Sequence, residues 1–299
     1  MTETLTPRTD SLGSGITLPI PARVMRRRVR RLRPYPIFRA AALTLTVFLF
    51  IAPLIWMLVA SLKTNVDIYD PGKTFIFSPT LDNYDNVLSR NNYFIFIFNS
   101  FWVALWSTVF SLILGVPAAY AMSRFSMQRS AMVVLLARII PGVSLLVPWY
   151  FIFANLHLVG GFGVLILSHM FVALPLIVYI MISFFDSMPL ELEEQAQVDG
   201  LTPIGAFLRI TLPLSVPGLA TAGILSFIFS WNNFMFALVL SGANTKTLPV
   251  AIFNFVSYAS IDWGSLMSAA VIVTVPIMVI ALFTQKYIVS GLTAGATKG

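Results

Sequence analysis

Six long apolar stretches alternate with short polar segments along the chain. Each is long enough for an α-helix to cross about 30 Å of hydrocarbon, and each is continuously apolar, which favours helices over a β-barrel. The pattern therefore predicts an all-α, polytopic membrane protein with six transmembrane helices. The predicted spans are Ala40–Ser61, Ile95–Met122, Ala131–Phe153, Phe162–Phe185, Leu214–Leu240 and Ser265–Thr284.

The composition supports the assignment to membrane proteins and excludes several kinds of functional site. Apolar residues make up 58% of the 299 positions, charged residues only 10%, and the mean hydropathy is +0.85. Such values exclude an ordinary water-soluble domain and a disordered chain. The absence of cysteine excludes disulfides, thiolate metal sites and cysteine nucleophiles. With only two histidines, His157 and His169, we predict no metal site, and for His169 we favour a hydrogen bond to a neighbouring helix.

The net charge of +7 has a topological explanation. Nine arginines lie within the first 39 residues, directly before the first span. With the N-terminus inside, the inner segments carry 14 basic residues and the outer loops four, so both termini are predicted to be cytoplasmic. We expect residues 1–39 to form a disordered tail and a basic juxtamembrane arm near lipid headgroups, and residues 40–299 to form the transmembrane domain. Nucleic acid is not an expected partner.

Seven prolines interrupt the predicted spans. Proline removes a backbone hydrogen bond and bends a helix, and such breaks persist in a bilayer where protein or a water-filled cavity supports them. The prolines therefore favour a bundle that surrounds a cavity or moves, although proline is also generally more frequent in membrane helices. They are Pro53, Pro117, Pro141, Pro148, Pro175, Pro217 and Pro276.

The loop between the fourth and fifth spans, residues 186–213, holds five of the 12 acidic residues. It contains start and stop signals for two short helices with a sharp corner between them. The signals are Ser187 as the first N-cap with Pro189 in the first turn, Gly200 as a left-handed stop, Thr202 and Pro203 as the second start, and Pro213 as the second end.

The spacing in this loop resembles the EAA loop of ABC-importer permeases. The matching pattern is Glu194-x-Ala196-x-x-x-Gly200, nine residues, then Ile210-x-Leu212-Pro213, with Gln195 where the family usually has alanine. In that family the loop is the coupling helix, which docks on the ATPase subunit. The resemblance thus implies that the coupling residues are Glu194, Ala196, Asp199, Gly200, Ile210, Leu212 and Pro213.

Other segments are similar to the carbohydrate-uptake branch of the same family, and in particular to the maltose-type second permease. The resemblance covers residues 40–299 and leaves out the basic arm. The similar segments are Asn99-Ser100, Pro117–Arg124, Pro141 with Pro148, Trp231-Asn232 and the C-terminal tail 285–299.

The resemblance implies a type I importer fold and a set of partners. The chain would pair with a second permease, a cytoplasmic ABC ATPase dimer and an extracytoplasmic solute-binding protein in the lipid of the inner membrane, and would carry a sugar or related polyol. The sequence has no phosphate-cradling glycine loop, so ATP and Mg²⁺ would be used by the ATPase, with no cofactor bound here.

Substrate residues are sought among polar groups within the spans. Arg138 is an ionisable residue in the third span and hence a candidate for the substrate pathway. Alternatively, its side chain snorkels to the inner membrane interface. Trp231, Asn232 and Asn233 in the fifth span offer the aromatic and amide groups that sugars need, or equally interhelical hydrogen bonds.

Two other protein classes fit the sequence less well than an importer permease. An intramembrane enzyme would need an acid–base pair near a membrane face, yet the spans hold no carboxylate before Asp186. A self-sufficient secondary transporter would show an internal repeat or an intramembrane carboxylate, and neither is found.

Overall fold

The computed structural model describes residues 34–90, 92–257 and 260–293, and side chains between 38 and 285 within those ranges. Residues 1–33, which include the predicted disordered tail and most of the predicted basic arm, lie outside them. Residues 1–50 and 51–299 form two units, each described by itself. The described residues form helices and turns, with isolated β-bridges and no named strand. The all-α class is therefore confirmed.

Fourteen α-helices lie within the described ranges, joined by 3₁₀ and π turns at Pro71–Lys73, Asn86–Arg90, Gly142–Leu145, Phe207–Thr211 and Ile252–Phe255. The helices are α1 (Pro34–Ser61), α2 (Asn65–Tyr69), α3 (Asp82–Asp85), α4 (Tyr93–Arg124), α5 (Gln128–Leu136), α6 (Leu146–Asn155), α7 (Phe162–Ser187), α8 (Glu191–Val198), α9 (Pro203–Ala206), α10 (Leu212–Leu214), α11 (Val216–Trp231), α12 (Met235–Leu240), α13 (Leu248–Ala251) and α14 (Trp263–Thr293).

Four described helices, α1, α4, α7 and α14, are long and apolar enough to cross a membrane. A fifth crossing is possible if residues 203–214 and α11, which meet at 72°, count as one bent span. These helices correspond to the first, second, fourth, fifth and sixth predicted spans. The described parts of the chain thus include an integral membrane domain.

Two predicted spans are interrupted. The third is split into α5 and α6, because Pro141 is extended (φ −60°, ψ 126°) and proline disfavours a helical conformation for the residue before it. The fifth stops at Trp231 and resumes only at Met235. The break in the third span falls at one of the prolines expected to interrupt the helices, whereas the break at residues 232–234 of the fifth span contains no proline.

The first and last described helices extend beyond the predicted spans. Helix α1 begins at Pro34, within the predicted basic arm, and α14 continues to Thr293, within the predicted C-terminal tail. Residues 294–299 of that tail lie outside the described residues.

Helices α4, α7 and α11 pack closely against one another. Their approach depends on small residues, as is common between membrane helices. A Cβ on Gly115 of α4 would lie 3.0 Å from Ile177, and one on Gly218 of α11 would lie 2.7 Å from the ring of Phe184. At the same interface His169 Nδ1 is 2.7 Å from Ser230 Oγ, so the expected interhelical bond of His169 is confirmed.

Candidate functional site: the coupling loop and a pocket at two helix breaks

The first helix of the loop starts later than predicted. Helix α8 begins at Glu191, whereas Ser187 is the last residue of α7. The Ser187 hydroxyl donates back to the carbonyl of Phe184 at 2.6 Å, which extends α7 instead of capping α8. The prediction of Ser187 as an N-cap was therefore wrong, and Pro189 precedes the helix.

The corner between the two helices is as predicted. Gly200 has a φ of +91°, the left-handed conformation that glycine adopts without strain, and it comes directly after Asp199, the C-cap of α8. Thr202 Oγ1 then accepts the N–H of Gly205 at 3.1 Å, and Pro203 is the first residue of α9. Local sequence signals alone thus determine the sharp change of direction.

The end of the second helix differs from the prediction. Pro213 does not end it but lies inside α10, after a π turn in which the N–H of Leu212 donates to the carbonyl of Phe207. The direction changes at Ser215, from which α11 departs at 72°. Leu212 and Ile210 are half-buried, and Leu212 packs against the cluster that contains Phe207.

One face of α8 is exposed and acidic. Glu194 is exposed, and its carboxylate accepts no hydrogen bond from any described residue. Beside it runs a shallow groove of about 490 Å³, lined by Glu191, Glu194, Gln195, Val198 and Asp199. The predicted docking residues Glu194 and Asp199 therefore share one accessible surface.

The opposite face of α8 is buried and holds a residue that the sequence analysis missed. Ala196 is buried, as is Glu193, whose carboxylate receives the Tyr120 hydroxyl at 2.6 Å and Arg124 Nε at 2.8 Å. Burial by itself raises the pKa of Glu193, but the hydrogen bonds that its carboxylate accepts and the positive charge of Arg124 together outweigh burial and hold the pKa below its usual value. Glu193 is thus an ionised internal anchor.

A signal for this anchor existed in the sequence. Glu193 and Ala196 are three residues apart and so share a face of α8, and Tyr120 and Arg124 stand in the family-like segment that closes the second span. Nothing local, however, distinguishes Glu193 from the adjacent Glu194.

A pocket of about 330 Å³ lies where the two interrupted spans meet α7. The break between α5 and α6 contributes Arg138 and Pro141, and the break between α11 and α12 contributes Asn233. Phe171 of α7 and Phe236 of α12 provide aromatic walls. Two predicted substrate residues, Arg138 and Asn233, are therefore brought together.

The polar side chains of this pocket have hydrogen-bond donors that bond to no described residue. Arg138 is exposed and forms no ion pair with the described residues. Asn233 Oδ1 accepts the N–H of Phe236 at 3.2 Å, while its Nδ2 donates to no described residue. A guanidinium and an amide N–H₂ beside aromatic rings are groups that can bind hydroxyl or other oxygen acceptors.

The two other predicted substrate residues lie elsewhere. Trp231 is only 4% exposed, and its Nε1–H donates to the carbonyl of Val273 at 3.1 Å, so it belongs to the helix packing. Asn232 is exposed but does not line the pocket, and its Nδ2 donates to the carbonyl of Ile228 at 2.9 Å. Among the described residues no group of three His, Asp or Glu side chains could hold a metal ion.

The sequence matches a known protein family over most of its length. Residues 15–294 match the family described as binding-protein-dependent transport system inner membrane component. The chain belongs to that family. It is a transport permease subunit and an integral membrane protein, not itself an enzyme.

Curated relatives cover nearly the whole permease. It is 38% identical to the sulfoquinovosyl glycerol transport system permease of Agrobacterium fabrum, over 88% of this chain and 93% of the relative. It is 37% identical to the trehalose transport system permease of Mycobacterium tuberculosis, over 86% and 95% respectively. The identity is also 37% with the trehalose/maltose permease of Thermococcus litoralis, over 83% and 91%.

Solved structures share the fold. A bacterial ABC transporter involved in the import of alginate matches with a TM-score of 0.74 at 20% identity, covering 86% of this chain and 98% of that one. A second alginate transporter structure, in complex with a substrate-bound periplasmic protein, matches with a TM-score of 0.63 at 17% identity, covering 84% and 93%. The expected ABC-importer permease fold is confirmed.

Proposed function

We propose that this permease is one of two membrane subunits of an ATP-driven importer that moves a sugar or related polyol from an extracytoplasmic binding protein into the cytoplasm. Its partners are a second permease and a cytoplasmic ABC ATPase dimer, and it resides in the inner membrane with both termini inside. The relatives named for trehalose, maltose and sulfoquinovosyl glycerol support a carbohydrate substrate.

The acidic face of α8 carries this proposal. Glu194 has no internal partner among the described residues, so its carboxylate is free to pair with a basic group of the ATPase. The left-handed corner at Gly200 holds the face in one orientation. ATP and Mg²⁺ bind to the ATPase dimer, and this chain holds no cofactor.

Docking at α8 gives ATP a way to act on the membrane domain. Closure of the ATPase dimer draws the docked loops together. The loop is joined to α7 through residues 188–190 and to α11 through Ser215, so both connections are short. A nucleotide that binds more tightly to the closed state therefore shifts the equilibrium between two arrangements of the helices.

The pocket at the helix breaks is proposed as part of the sugar pathway. Arg138 and Asn233 offer hydrogen-bond donors to hydroxyl groups, and Phe171 and Phe236 offer aromatic faces. Discontinuous helices at membrane depth are tolerated where they line a cavity. The exposed apolar outer faces of the long helices contact lipid or the second permease.

The test is ATP turnover of the reconstituted complex in vesicles, with the binding protein and a panel of sugars. Wild type should show turnover that depends on the loaded binding protein, and the most active sugar names the substrate. Glu194→Ala should lose this stimulation or the copurifying ATPase, whereas Asp82→Ala, an exposed carboxylate of the predicted outer side, should retain both.

Two outcomes would contradict the proposal. One is that no ATPase copurifies with the wild-type permeases. The other is that Glu194→Ala is stimulated as strongly as Asp82→Ala, which would make the loop a simple connector.

A further inference from the structure

Tyr120, Arg124 and Glu193, here called the clasp, join the end of α4 to the inner face of α8. The Arg124 and Glu193 side chains are only 12% and 5% exposed, and Nη2 and Nε of the arginine both lie 2.8 Å from Glu193 Oε1. Tyr120 Oη donates to the other carboxylate oxygen at 2.6 Å. Both oxygens of the carboxylate are therefore held from α4.

Arg124 also forms a hydrogen bond to α7. Its Nη1 donates to the carbonyl of Phe185 at 3.0 Å, in the last turn of α7. The ring of Tyr120 packs between Phe185 and Phe207, with centroid distances of 5.6 and 4.4 Å. The ends of α4 and α7, the helix α8 and the π turn thus converge on one ion pair.

A buried ion pair adds little net free energy to the stability of a fold. Removing two charges from water offsets most of their attraction, and apolar side chains of similar shape often stabilise a protein as well. What charge-assisted bonds add is direction, because they fix both the distance and the orientation of the groups they join. The clasp is suited to holding α8 at a defined angle.

The remaining anchorage of α8 is slight. The helix has eight residues, of which only Glu193 and Ala196 are buried. Adjacent residues of a helix project about 100° apart. The two adjacent carboxylates therefore face different surroundings, Glu193 toward α4 and Glu194 toward the exposed groove.

We propose that Glu193 is a positioning residue, and that the clasp is the joint through which movement of the docked α8 is passed to α4 and α7. This inference rests on the proposed docking role of α8. It assigns different roles to two adjacent carboxylates: Glu194 contacts the ATPase, whereas Glu193 makes the loop and the membrane helices move together.

The experiment compares Glu193→Gln with Asp67→Asn in the complete reconstituted complex. Asp67 is the matched control, because it is also a buried carboxylate in an ion pair, with Lys73, but on the predicted outer side. ATPase copurification, ATP turnover without binding protein, stimulation by the loaded binding protein and sugar uptake per ATP are measured.

Glu193→Gln should keep the ATPase bound and its unstimulated turnover, while stimulation and uptake per ATP both fall by about tenfold. Asp67→Asn should keep the wild-type ratio of uptake to ATP. Exchanging the charges, with Arg124→Glu and Glu193→Arg together, should recover part of the loss that either change causes alone.

A distance measurement distinguishes a joint from a merely stabilising contact. Spin labels at Phe125 and Leu192, both exposed and neither lining the acidic groove of α8, report the spacing of α4 and α8. In wild type this spacing should stay constant between nucleotide-free and ATP-bound states, and in Glu193→Gln it should broaden or change with nucleotide.

Failure of the two proposals gives different results. If wild type lacks stimulation, the proposed function is wrong. If wild type is stimulated and Glu193→Gln matches it in uptake per ATP and in label spacing, or if the ATPase no longer copurifies with Glu193→Gln, the clasp proposal alone is overturned.

Discussion

The coupling loop and the membrane pocket differ in whether their polar side chains have hydrogen-bond partners within the chain. In the loop, the carboxylate of Glu193 is bonded at both oxygens to groups of α4. In the pocket, the guanidinium of Arg138 has no ionic partner among the described residues, and Asn233 retains an unused N–H₂. A segment that transmits movement needs satisfied, directional bonds, whereas a site that receives a ligand needs donors that are still free.

The two regions also differ in how the backbone is used. The loop gains a fixed corner from Gly200 and a side-chain cap from Thr202. The pocket is formed where helices are broken, at residues 137–141 and 232–234. The following predictions test this contrast between a rigid joint and an open site, from the largest expected effect to the smallest.

The largest effect is expected from Gly200→Val. A branched side chain in the left-handed region costs about 1–2 kcal/mol, so the corner should open and stimulated ATP turnover should fall by about tenfold or more. Gly163→Val is the matched control. An added Cβ meets no atom within 4 Å at either position, but only Gly200 has a positive φ. Equal turnover in the two variants would show that the corner is not needed.

Arg138→Met should reduce sugar uptake by about tenfold, as expected for the loss of a charged hydrogen-bond donor. The ATPase should still copurify, because Arg138 is remote from α8 in sequence and shares no pocket with it. Arg129→Met, at an exposed residue near the start of α5, is the control. Normal uptake by Arg138→Met would favour the snorkelling explanation for this arginine.

The adjacent asparagines provide a finer comparison. Each side chain makes one local backbone hydrogen bond, but only Asn233 lines the pocket. Asn233→Ala should raise the apparent KM for sugar uptake by about fivefold, and Asn232→Ala should leave it near wild type. Uptake kinetics at several sugar concentrations test this, and equal KM values would remove Asn233 from the pathway.

The smallest effect is the pH dependence of the clasp. Because the folded pKa of Glu193 is held below the ordinary value of 4.5, its bonds contribute stability that is present above that value and is lost as the pH falls through the folded pKa. The difference in melting temperature between wild type and Glu193→Gln should therefore be constant at neutral and mildly acidic pH and should shrink below pH 4.5. A difference that already shrinks near neutral pH would contradict an ionised Glu193.

Much of the fold could be predicted from local features. Hydropathy located α1, α4, α7 and α14, and the glycine, threonine and proline signals located the corner after α8. Expectations failed where one residue could serve two elements. Ser187 extends α7 instead of starting α8, and Pro213 is accommodated by a π turn instead of ending its helix.

The site was only partly accessible to sequence reasoning. Arg138 and Asn233 could be nominated as polar residues within apolar segments, but their meeting in one pocket depends on two breaks distant in the chain. Trp231 has an aromatic ring of the kind that can stack on a sugar. Its indole N–H, however, donates a hydrogen bond to the carbonyl of Val273 inside the helix packing.

The sequence by itself determined the membrane class, the order of the helices, the left-handed corner and the family-like spacing of the loop. These follow from the hydropathy of single segments and from the φ preferences of single residues, both of which are local. The tertiary structure alone decided that Glu193 faces inward and Glu194 outward. Two of the three apolar residues of α8, Leu192 and Val198, are exposed, and the inward orientation of Glu193 depends on its bonds to Tyr120 and Arg124 of α4, more than 60 residues away in the chain.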